Sequence, residues 1–284
     1  MKKGKVSIVI PCFNQGKYLA ETLDSVLAQT WSDWECIVVN DGSPDNTEEI
    51  ANRYVDKDNR FKYVWKENGG LSSARNLGIL NSEGEFLLPL DSDDIIAPTY
   101  VEKCMLYFKH HPETKLVYSK AVFFGERKGL WLLDDYEYEK FIWKNCIFCS
   151  AMFRRADYDK TTGYNPNMKF GFEDWDFYLS LLGKEDKVHR IDEVLFYYRK
   201  KEKKSVAIKT DALDIYKEEA LVQLYHNHED IYAPYLPHCQ ERVVLYHDDS
   251  PEKLRSELRQ IRSSNAYRLG KFLLRPFLLI KKIL

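Results

Sequence analysis

Apolar positions along the first hundred residues switch between two periods. KVSIVIP (5–11), ECIVVND (35–41) and FKYVWK (61–66) are short β-branched or aromatic runs, the pattern of strands covered on both faces. After the first of them, Leu19, Leu23, Val26 and Leu27 recur at helical spacing, and residues 47–54 predict a second helix. Gly69-Gly70 marks a turn, Ser72 to Leu80 a helix and Glu85 to Leu90 a fourth strand. Strands alternating with helices predict right-handed crossovers and an α/β fold: a Rossmann-like, mostly parallel sheet flanked by helices.

Beyond residue 97 the pattern is less regular. A helix is expected over 98–110, with Pro98 in its first turn, then a strand over 116–124. The charged, aromatic stretch 125–145 reads as an insertion or loop, and 147–154 as a strand that closes the sheet. Residues 173–182 predict a short helix with Trp175, Tyr178, Leu179 and Leu182 on one face, and 194–199 a late strand. A charged loop follows at 200–205. Beyond about residue 208 the pattern is helical through Leu224, and again from Pro251.

Composition narrows the function. A chain of 284 residues holds one large α/β domain with an appendage, or two modest domains, and a net charge of −2 argues against nucleic acid as a partner. The opening MKKGKVSIVIPCFN is no secretory signal, and no apolar run approaches the ~18 residues of a spanning helix. Six cysteines, mostly in apolar segments, read as reduced thiols of a cytoplasmic protein. Cys146 and Cys149 form a CxxC that no second pair or histidine cluster completes into a zinc site.

Three strand ends carry the candidate chemistry: Pro11-Cys12-Phe13-Asn14, Asn40-Asp41-Gly42-Ser43 and Asp91-Ser92-Asp93-Asp94. In an open parallel sheet, ligands bind outside the carboxyl ends of the strands, so neighbouring strands would bring these tips to one cleft. Asp-x-Asp offers alternating carboxylates to a hard divalent cation able to bind diphosphate oxygens. The alternative for that cluster is a solvated turn capping the next helix. No GxGxxG follows the first strand, which argues against a plain dinucleotide binder.

VSIVIPCFNQGKYLAETLDSVLAQTWSDWECIVVNDGSPDNT, ENGGLSSARNLGI, EFLLPLDSDDI and GFEDWDFYLSLL, in that order, make residues 5–200 resemble the family 2 glycosyltransferases of GT-A fold. The resemblance implies inverting transfer of a sugar from a nucleoside diphosphate donor, a UDP-sugar most commonly, to an acceptor hydroxyl with Mg2+ or Mn2+. It places Pro11, Phe13 and Asn14 around the nucleoside, with Phe13 where the family often has Tyr. Asp41 would accept hydrogen bonds from base or ribose, although NDGS is also an ordinary Asx turn. Arg75 and Asn76 would lie near the nucleotide, where a guanidinium suits phosphate or base edges; a surface helix arginine is the alternative. Asp93 would hold the metal, with Asp91 supporting it near the sugar or ribose. Glu173-Asp174 would supply the base, Asp174 taking the acceptor proton, unless both acids serve only the positive end of their helix. Arg199 would lie near the diphosphate, in a stretch that also reads as a solvated charge run. A non-catalytic nucleotide-sugar scaffold would be expected to lose the metal or base motif, and both stand intact.

The expected organisation is a catalytic domain over 1–206, with a nucleotide half to about 97 and an acceptor half after it, and a helical extension over 207–284. After Glu257 seven basic residues and no acidic ones alternate with large apolar side chains. Residues 259–284 thus suit a peripheral contact with an anionic membrane, beside a carbohydrate or lipid-linked acceptor of polysaccharide or lipopolysaccharide assembly. A seam packed on the catalytic domain or in a homodimer is the other reading of that tail.

Overall fold

Val6, Ile8, Ile10, Cys36, Ile37, Val38 and Val39 are fully buried, which is why the two strands that carry them lie at the centre of the core. The computed structural model describes residues 2–201 and 210–234. Its first half runs β1 (Lys2–Cys12), α1 (Gly16–Leu27), β2 (Trp34–Asp41), α2 (Thr47–Lys57), β3 (Phe61–Lys66), α3 (Leu71–Leu80) and β4 (Gly84–Pro89). These four strands are parallel in the order β3-β2-β1-β4, with Ile8 opposite Cys36 on one side and Leu88 on the other. Helix α3 lies close on the sheet. A Cβ on Gly78 would sit 2.3 Å from Val9 Cγ1, so only glycine permits that approach.

The second half is mixed. It comprises β5 (Ile95–Ile96), α4 (Tyr100–His110), β6 (Thr114–Gly125), β7 (Gly129–Trp131), α5 (Tyr138–Phe141), β8 (Met152–Arg154), α6 (Arg155–Tyr158), α7 (Glu173–Leu181), β9 (Lys187–Lys200) and α8 (Thr210–Asn227). The sheet continues from β4 as β8-β6-β9-β5, with β7 paired to β6. Strands β6 and β9 are parallel, whereas β8 is antiparallel to both its neighbours.

Several element readings change. The run 147–154 contributes only Met152–Arg154 to the sheet, and as a link between β4 and β6 rather than a closing edge. The late strand is longer than 194–199: its charged first half, 187–193, pairs with β6 as well. Pro98 lies outside α4, where its carbonyl accepts from the Thr30 backbone N–H at 2.9 Å. The insertion 125–145 folds into β7 and α5.

Two compact units divide the chain, Met1–His228 and Glu229–Leu284, so α8 falls in the first. Its end is anchored there: Asn227 Nδ2 donates to Asp176 Oδ1 at 2.6 Å and His228 Nε2 lies 3.1 Å from the same oxygen. The described part of the second unit includes α9 (Glu229–Tyr232). No helix among the described residues is long and apolar enough to cross a membrane. The tail 259–284 lies outside the described residues.

Candidate active site

The three polar strand ends meet because β2, β1 and β4 are adjacent and parallel. Side chains then tie them together. Asn14, in the left-handed region at φ 54°, donates its N–H to Ser43 Oγ at 3.1 Å, and Ser43 Oγ donates to the Cys12 carbonyl at the same distance. Asp45 Oδ2 accepts the Gly16 N–H at 2.8 Å, holding the start of α1 to this loop. Pro11 is buried in β1, and Phe13 leaves about half its surface in solvent at the tip.

Asp41 is buried and already engaged. Its Oδ1 accepts from Lys66 Nζ at 2.7 Å and from the Gly69 N–H at 2.9 Å, and its Oδ2 accepts from the Gly70 N–H at 2.9 Å. The NDGS tip therefore fixes the loop that leads into α3, which the sequence pattern alone did not indicate. Gly70 has φ 85°, a backbone that favours glycine, and this turns both N–H groups onto one carboxylate.

Arg75 joins the distant parts. Its side chain is fully buried, with Nη2 donating to Asp91 Oδ1 at 2.7 Å and Nη1 to Glu173 Oε1 at 3.0 Å. One guanidinium thus holds the acidic tip of β4 and the first turn of α7 together. A planar fork with two donor edges can do this; an ammonium point charge cannot. Asn76, next in sequence, faces the chain: Nδ2 donates to the Tyr164 carbonyl at 2.7 Å, while Oδ1 accepts from the Tyr164 N–H at 2.9 Å and Tyr158 Oη at 3.0 Å. It pins the segment before α7, with both amide ends occupied by protein.

The acidic tip is held from two sides. Thr22 Oγ1 in α1 donates to the Asp94 carbonyl at 2.8 Å, and the Arg199 N–H in β9 donates to Asp94 Oδ1 at 2.8 Å. Arg199 Nε donates to the Asp93 carbonyl at 2.7 Å, and its Nη2 pairs with Glu21. Lys201 Nζ lies 2.5 Å from Asp93 Oδ2. Burial first, and then the neighbouring carboxylates, push the pKa of Asp93 up and that of Asp94 well up. Asp94 Oδ2 is buried with no hydrogen-bond partner. Crowded, partly buried oxygens with one acceptor unmet fit a hard divalent cation such as Mg2+ or Mn2+, whose charge would relieve the repulsion.

Asp174 is the second residue of α7, whose first residue, Glu173, follows two left-handed residues, Gly171 and Phe172. Its Oδ1 accepts the Trp175 N–H at 2.7 Å, and Asn145 Nδ2 approaches the same oxygen at 3.5 Å. Burial and then the charge of Glu173 push its pKa up to about 7, against the lowering influence of Arg75. A carboxylate near neutrality is matched to taking a proton from a hydroxyl at cellular pH.

Sequence reasoning singled out these acids and missed three of their neighbours. Lys201 belonged to a run that read as solvated, and Asn145 to a stretch that read as loop. Cys149, whose Sγ lies 3.4 Å from Asp91 Oδ2, carried no signal beyond the CxxC spacing.

This parallel half-sheet joined to a mixed one, with acids at the strand tips, is the GT-A arrangement. The chain belongs to glycosyl transferase family 2, whose model matches residues 7–175. It is 31% identical over 215 residues, 72% of this chain and 24% of the relative, to the minor teichoic acid biosynthesis protein GgaB of Bacillus subtilis. Among solved structures it is similar to S. aureus TarS 1-349 in complex with UDP, at TM-score 0.64 and 20% identity over 95% of this chain and 75% of that one. It is also similar to the mannosyltransferase PcManGT of Pyrobaculum calidifontis in complex with GDP-Man and Mn2+, at TM-score 0.56 and 16% identity over 94% and 83% of the two chains. The chain spans 20% to 30% of the length of the first curated relatives it matches.

Proposed function

We propose that this chain is an inverting glycosyltransferase that moves a sugar from a nucleoside diphosphate donor, a UDP-sugar, to an acceptor hydroxyl in the assembly of a cell-surface polysaccharide or teichoic-acid-like polymer. The observation that carries the reading is the buried Arg75 bridge, which sets the acidic tip of β4 and the Asp174 turn on one site. Inverting transfer is a single in-line displacement. It needs a base on the face opposite the departing diphosphate and positive charge beside that diphosphate.

Asp174 takes the acceptor proton, and Glu173 keeps Asp174 basic through its own negative charge. Asp93, supported by Asp91 and Asp94, would hold Mg2+ or Mn2+, which supplies charge neutralisation at the diphosphate when bound. Pro11, Phe13 and Asn14 line the nucleoside end, and Asp41 shapes it through the 66–70 loop. Arg199 fixes the backbone of the acidic tip. The GgaB name and the TarS complex with UDP support the donor and polymer class, and the PcManGT complex supports Mn2+.

Calorimetry of UDP with and without Mn2+, alongside turnover of a UDP-sugar, tests this. Asp93→Ala should lose Mn2+-dependent UDP binding. Asp174→Asn should keep that binding and lose ~10²–10⁴-fold in turnover. Full transfer in excess EDTA, or near-normal turnover of Asp174→Asn, would overturn the assignment.

A further inference from the structure

One sulfur lies among the oxygens of the acidic tip. Cys149 is almost fully buried, and its Sγ sits 3.4 Å from Asp91 Oδ2. Donor atoms of Asp91, Asp94 and Cys149 all lie within 4.8 Å of one another. Asp93, the acid assigned to the donor's metal, is not one of the three, while Asp91 and Asp94, which support it, are shared between the two positions. Asp94 is 1% exposed; its Oδ1 accepts the Arg199 N–H and its Oδ2 accepts nothing. A buried carboxylate that keeps one oxygen unpartnered and brings an oxygen within 4.8 Å of a thiol and a second carboxylate is an incomplete ligand set.

We infer that Asp91, Asp94 and Cys149 form a capture site for a thiophilic divalent cation, Zn2+ or Cd2+, beside the hard-metal position. Tetrahedral zinc with a Zn–S bond of about 2.3 Å and a Zn–O bond of about 2.0 Å places sulfur and oxygen about 3.5 Å apart. The observed separation of 3.4 Å between Cys149 Sγ and Asp91 Oδ2 already matches that edge. On capture the thiol proton leaves to solvent, the thiolate and two carboxylate oxygens bond the metal, and a water completes four ligands. Mg2+ and Mn2+ prefer oxygen and gain little from the sulfur, so the thiol discriminates between the two kinds of ion. The bound ion competes with Arg75 for Asp91. Its effect on transfer rests on the function proposed above, whereas the capture rests on geometry alone.

The probe is Cd2+, whose bond to a thiolate gives an ultraviolet charge-transfer band. Cd2+ is titrated into the wild-type chain, into Cys149→Ser, and into the controls Cys146→Ser and Cys239→Ser. One equivalent should raise the band in the wild type and both controls, and Zn2+ should remove it. Cys149→Ser should abolish the band with its thermal melt unchanged. Asp94→Asn should weaken Cd2+ by more than ~10-fold, since even outer-shell partners are worth about that. A band that survives in Cys149→Ser, or is absent from the wild type, or an Asp94→Asn affinity equal to wild type, overturns the site. Parallel calorimetry separates the two readings. If UDP with Mn2+ binds and Zn2+ blocks it, capture and function stand together. If UDP never binds but the cadmium band is present, the proposed function fails and the capture site stands.

Discussion

Replacing Arg75 by Met keeps most of the side-chain volume and removes the charge that Asp91 and Glu173 share. At an effective dielectric of about 20, each carboxylate about 4 Å from the guanidinium gains ~4 kcal/mol of attraction. Desolvation of all three groups cancels much of that sum in the native protein. Removal of one partner alone does not restore the lost hydration, so the expected cost is ~3–5 kcal/mol. In the unit Met1–His228 each kcal/mol moves Tm by ~2–4 °C, so melting should fall by ~6–20 °C.

The same substitution has a second, electrostatic readout. Arg75 lowers the pKa of Asp174, while burial and Glu173 raise it to about 7. The base works ionised, so kcat/KM should rise with pH through that pKa. Arg75→Met should move this limb to higher pH. Glu173→Gln, which keeps the acceptor for Arg75 and drops the charge, should move it to lower pH. Thermal melts and pH profiles of kcat/KM for the three proteins provide the assay. Limbs that move in the same direction, or a destabilisation by Arg75→Met below ~1 kcal/mol, would refute this account of the bridge.

Glu35 is buried, yet contacts with Lys62, the Glu83 N–H and Ser7 outweigh burial and hold its pKa down to about 2. A depressed folded pKa contributes stability above the unfolded value of 4.5 and loses it as pH falls toward 2, so Glu35→Gln should flatten acid denaturation across that window. Asp41→Ala should weaken UDP by ~1–3 kcal/mol, because the Gly69 and Gly70 N–H groups lose their acceptor and the loop loosens; an unchanged dissociation constant by calorimetry would count against this. Truncation near residue 262 should release the chain from anionic liposomes at low salt, since each basic residue near such a surface adds ~1 kcal/mol. If the full-length chain ignores those liposomes, the membrane reading of the tail fails.

The sequence alone determined the parallel half of the sheet and the positions of its acids. Strands β1, β2 and β4 are buried along most of their length, so their apolar runs are nearly continuous, the edge strand β3 keeps a β-branched and aromatic run, and the motifs at the strand ends are local in the chain. The first half of β9 was illegible for the opposite reason. Residues 187–193 keep only Ile191 well buried and use charged groups at the surface, Asp192 pairing with Lys120 and Arg190 with Asp135. Local hydropathy cannot report a strand whose stability comes from a distant partner. Only the tertiary structure decided what each acid touches. Arg75 lies 16 residues from Asp91 and 98 from Glu173, and Lys201 is far along the chain from Asp93. The basicity of Asp174 belongs to this second kind of fact, because burial and through-space charge set it, and neither is a property of residues adjacent in sequence.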